Sequence, residues 1–105
     1  METPNFDYID KISGGNSDFK KRLIQIIKEE FPHEIKQYKT YINRFKFIKA
    51  SGMVHKIKHK FSILGLEESY KLAIQYELDL RSNNNELESS FDEKLNEVVA
   101  FLENL

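Results

Sequence analysis

The chain has no cysteine and no tryptophan, and only two prolines and four glycines among its 105 residues. The absence of cysteine excludes disulfides, thiolate metal sites and cysteine nucleophiles, and it suits a reducing compartment. No apolar run approaches the ~20 residues that a membrane span needs. The opening METPNFDYID lacks the basic and then apolar layout of a signal peptide. We therefore expect a soluble, cytoplasmic protein that does not bind membranes.

The length and hydrophobic content favour a single small domain. Hydrophobic residues make up 40% of the chain, which is enough for one modest core and too little for two. We expect one domain over residues 1–105, acting as a monomer. Met1 and a compact C-terminus favour a stand-alone protein over a piece of a larger kinase.

A net charge of −1 hides a strong asymmetry along the chain. Residues 35–66 carry eight basic residues and no acidic residue, whereas residues 67–105 carry ten acidic and three basic residues. A basic segment of this kind attracts an acidic partner, such as nucleic acid, an anionic surface or an acidic protein pocket.

An apolar stripe with helical spacing predicts a long second helix after Asn16 and Ser17, which offer capping side chains. The stripe consists of Ile24, Ile27, Phe31, Ile35, Tyr38, Ile42 and Phe45. It passes through Pro32 without losing phase, although a proline inside a helix normally costs ~3 kcal/mol. We therefore favour one continuous helix, with at most a kink near Pro32, over two helices separated there.

The remaining patterns predict three more helices and a short leader helix. The second stripe consists of Phe47, Ala50, Val54, Ile57, Phe61 and Leu64. Gly65 is a typical residue after a helix C-terminus. The leader spans Phe6 to Ile12, a third main helix begins near Leu66, residues 82–85 form a turn, and a last helix carries Leu87 to Leu102. The sequence predicts an all-α fold, an antiparallel up-and-down four-helix bundle with a short N-terminal leader helix.

The stretch MVHKIKHKFSILGL, residues 53–66, holds two of the three histidines, and no acidic residue is near them in the sequence. At 100° per residue, His55 points roughly 130° and His59 roughly 170° away from the apolar stripe. Ser51, Gly52 and Ser62 fall toward the same outer side. The outer face of this helix is therefore predicted to carry imidazoles among small side chains.

This layout favours phosphoryl acceptance by His55. A solvent-facing imidazole is largely neutral near pH 7, and its free nitrogen is a competent nucleophile. Lys58 lies one turn beyond, where its ammonium can reach a phosphoryl group on the ring and form charge-assisted hydrogen bonds. The candidate residues for docking a partner are Ser51, Gly52, Lys56, His59 and Ser62.

With these motifs the chain resembles the histidine-containing phosphotransfer (HPt) domains of multistep phosphorelays. The family signature is roughly His-x-Leu-Lys-Gly followed by Leu-Gly, and it stands here as HKIKH at residues 55–59 and Leu64-Gly65. GGNSDF at residues 14–19 looks like the family's Gly-Gly-Asp-x-x-Phe before its long second helix, and Tyr76-Glu77 looks like its Leu-Glu after the histidine helix. The resemblance spans nearly the whole chain.

The resemblance implies a phosphocarrier without kinase activity of its own. His55 would take a phosphoryl group from an aspartate of one receiver domain and pass it to another, and Lys58 would stabilise the phosphate. The partners would be receiver domains of response regulators or hybrid histidine kinases. This chain would bind no cofactor or metal, and the Mg²⁺ would sit on the receiver. His59 departs from the family, which has glycine there, and it either crowds the docking face or adds a hydrogen-bond donor.

Other functions compete with this interpretation. His55 can be an ordinary surface histidine, or the His55–His59 pair can bind zinc, although zinc needs a further ligand and His33 is the only other histidine. The basic segment can bind nucleic acid, but no known motif supports that function, and we expect none. A helical adaptor that binds a receiver without phosphotransfer is the main alternative. Four aromatic residues are assigned to the core or its edge, with one or two available beside His55, namely Tyr38, Tyr41, Phe45 and Phe47.

Overall fold

Five α-helices make up the fold in the computed structural model, which describes residues 2–105. They are α1 (Asp7–Ser13), α2 (Ser17–Asn43), α3 (Phe47–Ile63), α4 (Glu67–Arg81) and α5 (Glu88–Glu103). The prediction of an all-α fold is confirmed, and no strand occurs within residues 2–105. None of the described helices is both long and apolar enough to cross a membrane.

The long second helix is continuous. α2 runs for 27 residues and contains Pro32 in its interior, so the prediction of one helix is confirmed and the alternative of two is wrong. Asn16 caps it as predicted, because its side-chain oxygen accepts a hydrogen bond from the backbone N–H of Phe19 at 3.0 Å. At 1.5 Å per residue, α2 spans about 40 Å, which is nearly the full 44 Å length of the molecule.

The core is built from the stripes that the sequence predicts, with one exception. Large, fully buried side chains come from all five helices and from the turn between α3 and α4, including Ile9, Phe31, Tyr38, Phe61, Leu66, Tyr76 and Phe91. The exception is Phe45, which continues the α2 stripe in sequence but is 78% exposed. α2 has already ended at Asn43, so helical periodicity no longer describes where the Phe45 side chain points.

Gly65 lets the chain turn sharply between α3 and α4. Its φ angle is 76°, and the backbone N–H of Leu66 donates to the carbonyl of Phe61 at 2.9 Å, as in a Schellman motif. A Cβ on Gly65 would lie 2.7 Å from the side chain of Asn5. The predicted role of Gly65 as a helix-ending residue is therefore confirmed, and the N-terminal segment closes over the same turn.

The N-terminal segment also caps α4. The carboxylate of Glu2 accepts hydrogen bonds from the backbone N–H groups of Glu68 and Ser69 at 2.8 and 2.7 Å, and from the Ser69 hydroxyl at 2.6 Å. Burial alone would raise the pKa of Glu2, but these hydrogen bonds outweigh it and lower the pKa. Glu2 thus supplies the cap that Leu66, at the N-cap position of α4, does not provide.

Helix α3 is the central element, because its most extensive contacts are with α4 on one side and α2 on the other. Lys60 joins α3 to α2 through ion pairs of 2.8 Å to Glu30 and 3.0 Å to Glu34. Burial would lower the pKa of Lys60, but the hydrogen bonds that its ammonium donates to these two carboxylates raise it. The exposed arc of α3 therefore lies between α2 and α4, and this arc is narrower than the sequence predicts.

A cluster of hydrogen-bonded polar side chains lies inside the core between α2, α4 and α5. The hydroxyl groups of Tyr38 and Tyr76 are 2.6 Å apart, and Tyr38 also donates a long hydrogen bond of 3.5 Å to Asp92 on α5. Burial, and then the nearby Glu88 carboxylate, raise the pKa of Asp92. The ionised form of Asp92 is therefore less stable in the folded protein than in the unfolded chain.

We predict that Asp92→Asn stabilises the protein at neutral pH. A carboxyl whose folded pKa is raised lowers stability as pH rises from its ordinary pKa through the raised value, and the penalty is full above that window. The amide avoids this penalty and can still accept from Tyr38. The expected rise in Tm at pH 7 is about 2–4 °C, which corresponds to roughly 0.5 kcal/mol in a domain of this length.

Thermal unfolding followed by circular dichroism at pH 7 and near pH 3 measures this effect. Near pH 3 the Asn variant and the wild type should converge, because Asp92 is then protonated in both folded and unfolded states. Glu93→Gln, at an exposed neighbouring position on α5, is the matched control and should leave Tm unchanged. A lower Tm for Asp92→Asn at pH 7 would contradict the prediction.

Candidate functional site

The structure places His55 on the outer side of α3, as the sequence predicts. Its side chain is 51% exposed. Four of the predicted docking residues are also exposed on α3, namely Gly52, Lys56, His59 and Ser62. A partner can therefore approach the His55 ring from solvent along this side of the helix.

Ser51 does not belong to this surface. It is only 2% exposed, and its hydroxyl donates a 2.6 Å hydrogen bond to the carbonyl of Ile48. Its predicted position on the outer side of α3 is wrong, because α2 and α4 both pack against α3 and bury a wider arc than the apolar stripe covers. Ser51 lies within that arc.

The carboxylate of Glu77, on α4, is the centre of the site. It lies 3.2 and 3.3 Å from Nδ1 of His55, 3.1 Å from Nζ of Lys58 and 3.0 Å from a terminal nitrogen of Arg81. The Glu77 side chain is 10% exposed. The two residues that the sequence selects on α3 are thus brought together through an acidic residue of the next helix.

Lys58 and His55 keep Glu77 ionised. Burial alone would raise its pKa, but the hydrogen bonds and charges of Lys58 and His55 outweigh that effect, and the pKa of Glu77 is lowered. The stability that these contacts provide is present above the ordinary carboxyl pKa and is lost as pH falls through the lowered value. Glu77 is therefore a carboxylate at neutral pH, and it can only accept hydrogen bonds.

This contact fixes the proton of the His55 ring. Because the Glu77 carboxylate only accepts, the 3.2 Å contact is a hydrogen bond only if Nδ1 of His55 carries the proton. In the neutral ring the other nitrogen, Nε2, then has a free lone pair. The site therefore presents a half-exposed imidazole whose Nε2 can act as a nucleophile.

Lys58 is held at the Nδ1 end of the His55 ring. Its ammonium bonds to the same Glu77 oxygen as Nδ1, its side chain is only 12% exposed, and it lies 6.0 Å from the ring centroid of Tyr70. The sequence predicts a lysine within reach of a group on His55, and the structure places this lysine against Glu77. Lys58 reaches a phosphoryl group on Nε2 only if its flexible stem turns away from Glu77.

His59 is in direct contact with the proposed nucleophile. The ring centroids of His55 and His59 are 5.0 Å apart, and the rings are nearly perpendicular, at 86°. The two rings are therefore in edge-to-face contact, and His59 lies directly beside the His55 ring.

Reasoning from the sequence noted Glu77 only as part of the Tyr76-Glu77 motif and gave it no role, and it missed Arg81. The stretch around His55 has no acidic residue near it in sequence, and Glu77 lies 22 residues away. The signal that was available is the Tyr76-Glu77 motif. The structure buries both residues of the motif, and a buried carboxylate needs a cationic or hydrogen-bonding partner.

The described residues contain no group of three or more His, Asp or Glu side chains that could hold a metal ion. His33, the third histidine of the chain, is on α2, where its ring contacts the side chain of Gln37 at 3.3 Å. The structure therefore does not bring His33 together with His55 and His59 as a set of zinc ligands.

We predict that Glu77 sets the tautomer of His55. In ¹⁵N NMR spectra of the imidazole at pH 8, the wild type should show a protonated Nδ1 and an unprotonated Nε2. Glu77→Ala should shift the proton toward Nε2, whereas Glu77→Gln should keep it on Nδ1, because the amide oxygen still accepts a hydrogen bond. Glu77→Ala should also destabilise the fold by roughly 1–3 kcal/mol, since Lys58 is left largely buried without its partner.

The control for the NMR measurement is Glu93→Ala, an exposed residue on α5 that takes no part in the Glu77 contacts and should leave the His55 spectrum unchanged. A wild-type spectrum with the proton on Nε2 would show that the Glu77 contact does not orient the ring in solution.

Comparison of the chain with models of protein families, with curated proteins and with solved structures gives no match in any of the three.

Proposed function

We propose that this protein is a histidine phosphocarrier of the HPt type, in which His55 accepts a phosphoryl group from a receiver-domain aspartate and passes it to another receiver. The observation that supports this proposal most is the contact of His55 Nδ1 with an ionised, largely buried Glu77, while half of the His55 side chain faces solvent. This arrangement leaves Nε2 as a free, outward-facing nucleophile on a rigid helix.

The transfer step balances without a proton acceptor on this chain. The Nε2 lone pair of His55 attacks the phosphorus of the aspartyl phosphate, and an N–P bond forms. The bond between phosphorus and the aspartate oxygen breaks, and the aspartate carboxylate leaves with the electron pair. The product ring is cationic and keeps its proton on Nδ1, where the negative charge of Glu77 stabilises it. In-line transfer of this kind depends mainly on positioning and charge neutralisation.

Lys58 can neutralise two negative charges, one before the transfer and the other after it. Before transfer its ammonium bonds to Glu77 at 3.1 Å. After transfer the phosphoryl group adds negative charge beside the ring, and the ammonium gains by turning toward it, while Arg81 continues to neutralise Glu77. We therefore propose that Lys58 moves between the carboxylate and the phosphate.

The remaining features of the proposal concern the assembly. We propose that α2 to α5 form an antiparallel up-and-down bundle, that the protein works as a cytoplasmic monomer, and that its partners are receiver domains, which supply the aspartate and the Mg²⁺. Gly52, Lys56, His59 and Ser62, all exposed on α3, are the proposed contacts with the receiver. This chain does no phosphoryl transfer from ATP in the proposal and has no kinase activity of its own.

Transfer of label from a phosphorylated receiver tests the function directly. We predict that receiver domains labelled with ³²P on their aspartate transfer acid-labile label to the wild type and not to His55→Ala. His33→Ala, which changes an exposed histidine on α2, is the matched control and should accept label normally. Lys58→Ala should slow the transfer by about tenfold or more, because one charge-assisted contact to the phosphoryl group is lost.

Label on the His55→Ala variant would show that the acceptor is another residue. If no receiver transfers label but one or more bind, the helical adaptor becomes the better description, since an adaptor docks receivers without chemistry. The same experiment thus separates the two functions.

We predict that His59→Gly speeds the transfer several-fold. The His59 ring lies against the His55 ring, where it narrows the approach to Nε2, and the family that the chain resembles has glycine at this position. Glycine inside a helix costs about 1 kcal/mol relative to alanine, so His59→Ala is the control that removes the ring without that cost.

The rate is measured in the same label-transfer assay under single-turnover conditions. Slower transfer by both variants would show that His59 assists by donating a hydrogen bond to the phosphoryl group or to the receiver. An unchanged rate would show that His59 takes no part in the transfer.

A further inference from the structure

A cleft opens at the end of the molecule where the turn between α2 and α3 meets the C-terminus of α4. Its volume is about 420 Å³, which lies within the range of binding pockets in proteins. Its apolar lining residues are Phe45, Phe47, Ile48 and Leu80. Leu80 is fully buried at the base, whereas Phe45 and Ile48 are 78% and 72% exposed, so the walls of the cleft present apolar surface to solvent.

The backbone at Phe45 is the first observation that points to a binding role for this surface. α2 ends in a Schellman motif, in which Phe45 and Lys46 donate to the carbonyls of Ile42 and Tyr41 at 3.0 and 2.9 Å. The residue after the helix cap must then be left-handed, and Phe45 has a φ angle of 57°. Glycine is the usual residue there, because a bulky side chain is strained in this conformation. The strained residue also displays a ring that is not buried in this chain.

The charges around the cleft define what can bind. Lys46, Lys49 and Arg81 also line it. Within residues 2–105, neither Lys46 nor Lys49 takes part in an ion pair, and Arg81 pairs with Glu77. Lys49 lies instead 5.9 Å from the ring centroid of Tyr41. Three cations therefore surround an apolar base with no carboxylate among the lining residues.

We propose that this cleft docks a segment of a partner protein that presents one or two large apolar side chains flanked by carboxylates. The apolar side chains fill the cleft over Leu80 between Phe45 and Ile48, and the carboxylates pair with Lys46 and Lys49 at its edge. A concave site of this size fits side chains that project from a peptide, whereas a bilayer surface is flat and would leave the base of the cleft empty.

Docking in this cleft is coupled to His55 through Arg81. Arg81 lines the cleft, and its guanidinium donates to Oε2 of Glu77 at 3.0 Å. Nδ1 of His55 contacts both oxygens of the same carboxylate, and Lys58 contacts Oε1. A carboxylate of the partner competes with Glu77 for Arg81. When Arg81 turns toward the partner, Glu77 loses one of its three donors and binds His55 and Lys58 more tightly. The effect on phosphotransfer rests on the proposed function, but the docking and the change at His55 do not.

NMR titration with a synthetic peptide tests the docking. The probe is an end-blocked octapeptide with adjacent Leu and Phe flanked on both sides by glutamates, and the control peptide has lysines in place of the glutamates. We expect the acidic peptide to bind with a Kd of roughly 0.1–1 mM, as suits a short flexible segment in one small cleft. Shifted amide signals should cluster in residues 45–49 and 80–83, and the basic peptide should not bind.

Variants separate binding from folding. Phe45→Gly should weaken the acidic peptide about fivefold or more while Tm stays the same or rises by a few degrees, because glycine relieves the left-handed strain. Lys46→Gln combined with Lys49→Gln should weaken it similarly, and Lys11→Gln, at an exposed lysine on α1, should not. A Phe45→Gly variant that is less stable and binds as well as the wild type would overturn the role of this residue and of the cleft.

The coupling is read at fixed pH from the His55 ring nitrogens. At peptide concentrations that saturate each protein, the acidic peptide should shift them in the wild type and leave them unmoved in Arg81→Gln, which lacks the guanidinium and should bind the peptide more weakly. If the wild-type ring does not respond, the coupling is wrong and the docking site stands.

The docking proposal is overturned if both peptides bind equally or if binding does not saturate at 5 mM. It is also overturned if the cleft residues respond only to phosphatidylglycerol vesicles or to an RNA oligonucleotide. None of these results depends on whether a receiver transfers label to His55.

Discussion

The contact between Glu77 and three donors is the interaction on which the site and much of the helix packing depend. A carboxylate that is only 10% exposed is costly unless it is paired and hydrogen-bonded. His55 and Lys58 supply two of its donors from α3, and Arg81 supplies the third from α4. The α3–α4 pair has the most extensive helix–helix contact in the fold, so the group that orients the His55 ring also helps to join the two central helices.

Ion pairs with neighbouring helices neutralise part of the basic segment, residues 35–66. In sequence, residues 35–66 look like one continuous cationic surface. In the structure, Lys58 is neutralised by Glu77 and Lys60 by Glu30 and Glu34, so two of its lysines hold helices together. The charge that remains available lies on the C-terminal half of α2, at the turn between α2 and α3, and on the exposed side of α3. The acidic residues that balance these two lysines come from the segments on either side, residues 1–34 and 67–105. The other six basic residues of the segment form no ion pair within residues 2–105.

The helices themselves could be predicted from the sequence, because apolar residues recur at every third or fourth position along them. Local signals such as Asn16 and Gly65 mark some of their ends. Phe45 was placed wrongly because the same period continues by chance past the end of α2. Ser51 was placed wrongly because the buried arc of α3 depends on how α2 and α4 pack, which no local pattern contains. The Glu77 contact joins residues 22 apart, and a pairing of that kind follows from the fold and not from spacing. The sequence therefore predicted which face His55 occupies but not what its Nδ1 contacts.

Two bulky rings stand at positions where glycine would be expected, and both lie near the Glu77 network. Phe45 has the left-handed backbone of a glycine, and His59 replaces the glycine of the family that the chain resembles and packs against His55. Phe45 is exposed and strained, and His59 is exposed beside the proposed nucleophile, so neither ring belongs to the buried core. Arg81 connects the two places, because it lines the cleft beside Phe45 and bonds to the carboxylate that holds His55. In the proposed function, a partner that covers His59 and fills the cleft would contact both rings at once. The two side chains that stand in place of glycine would then together determine which partner binds.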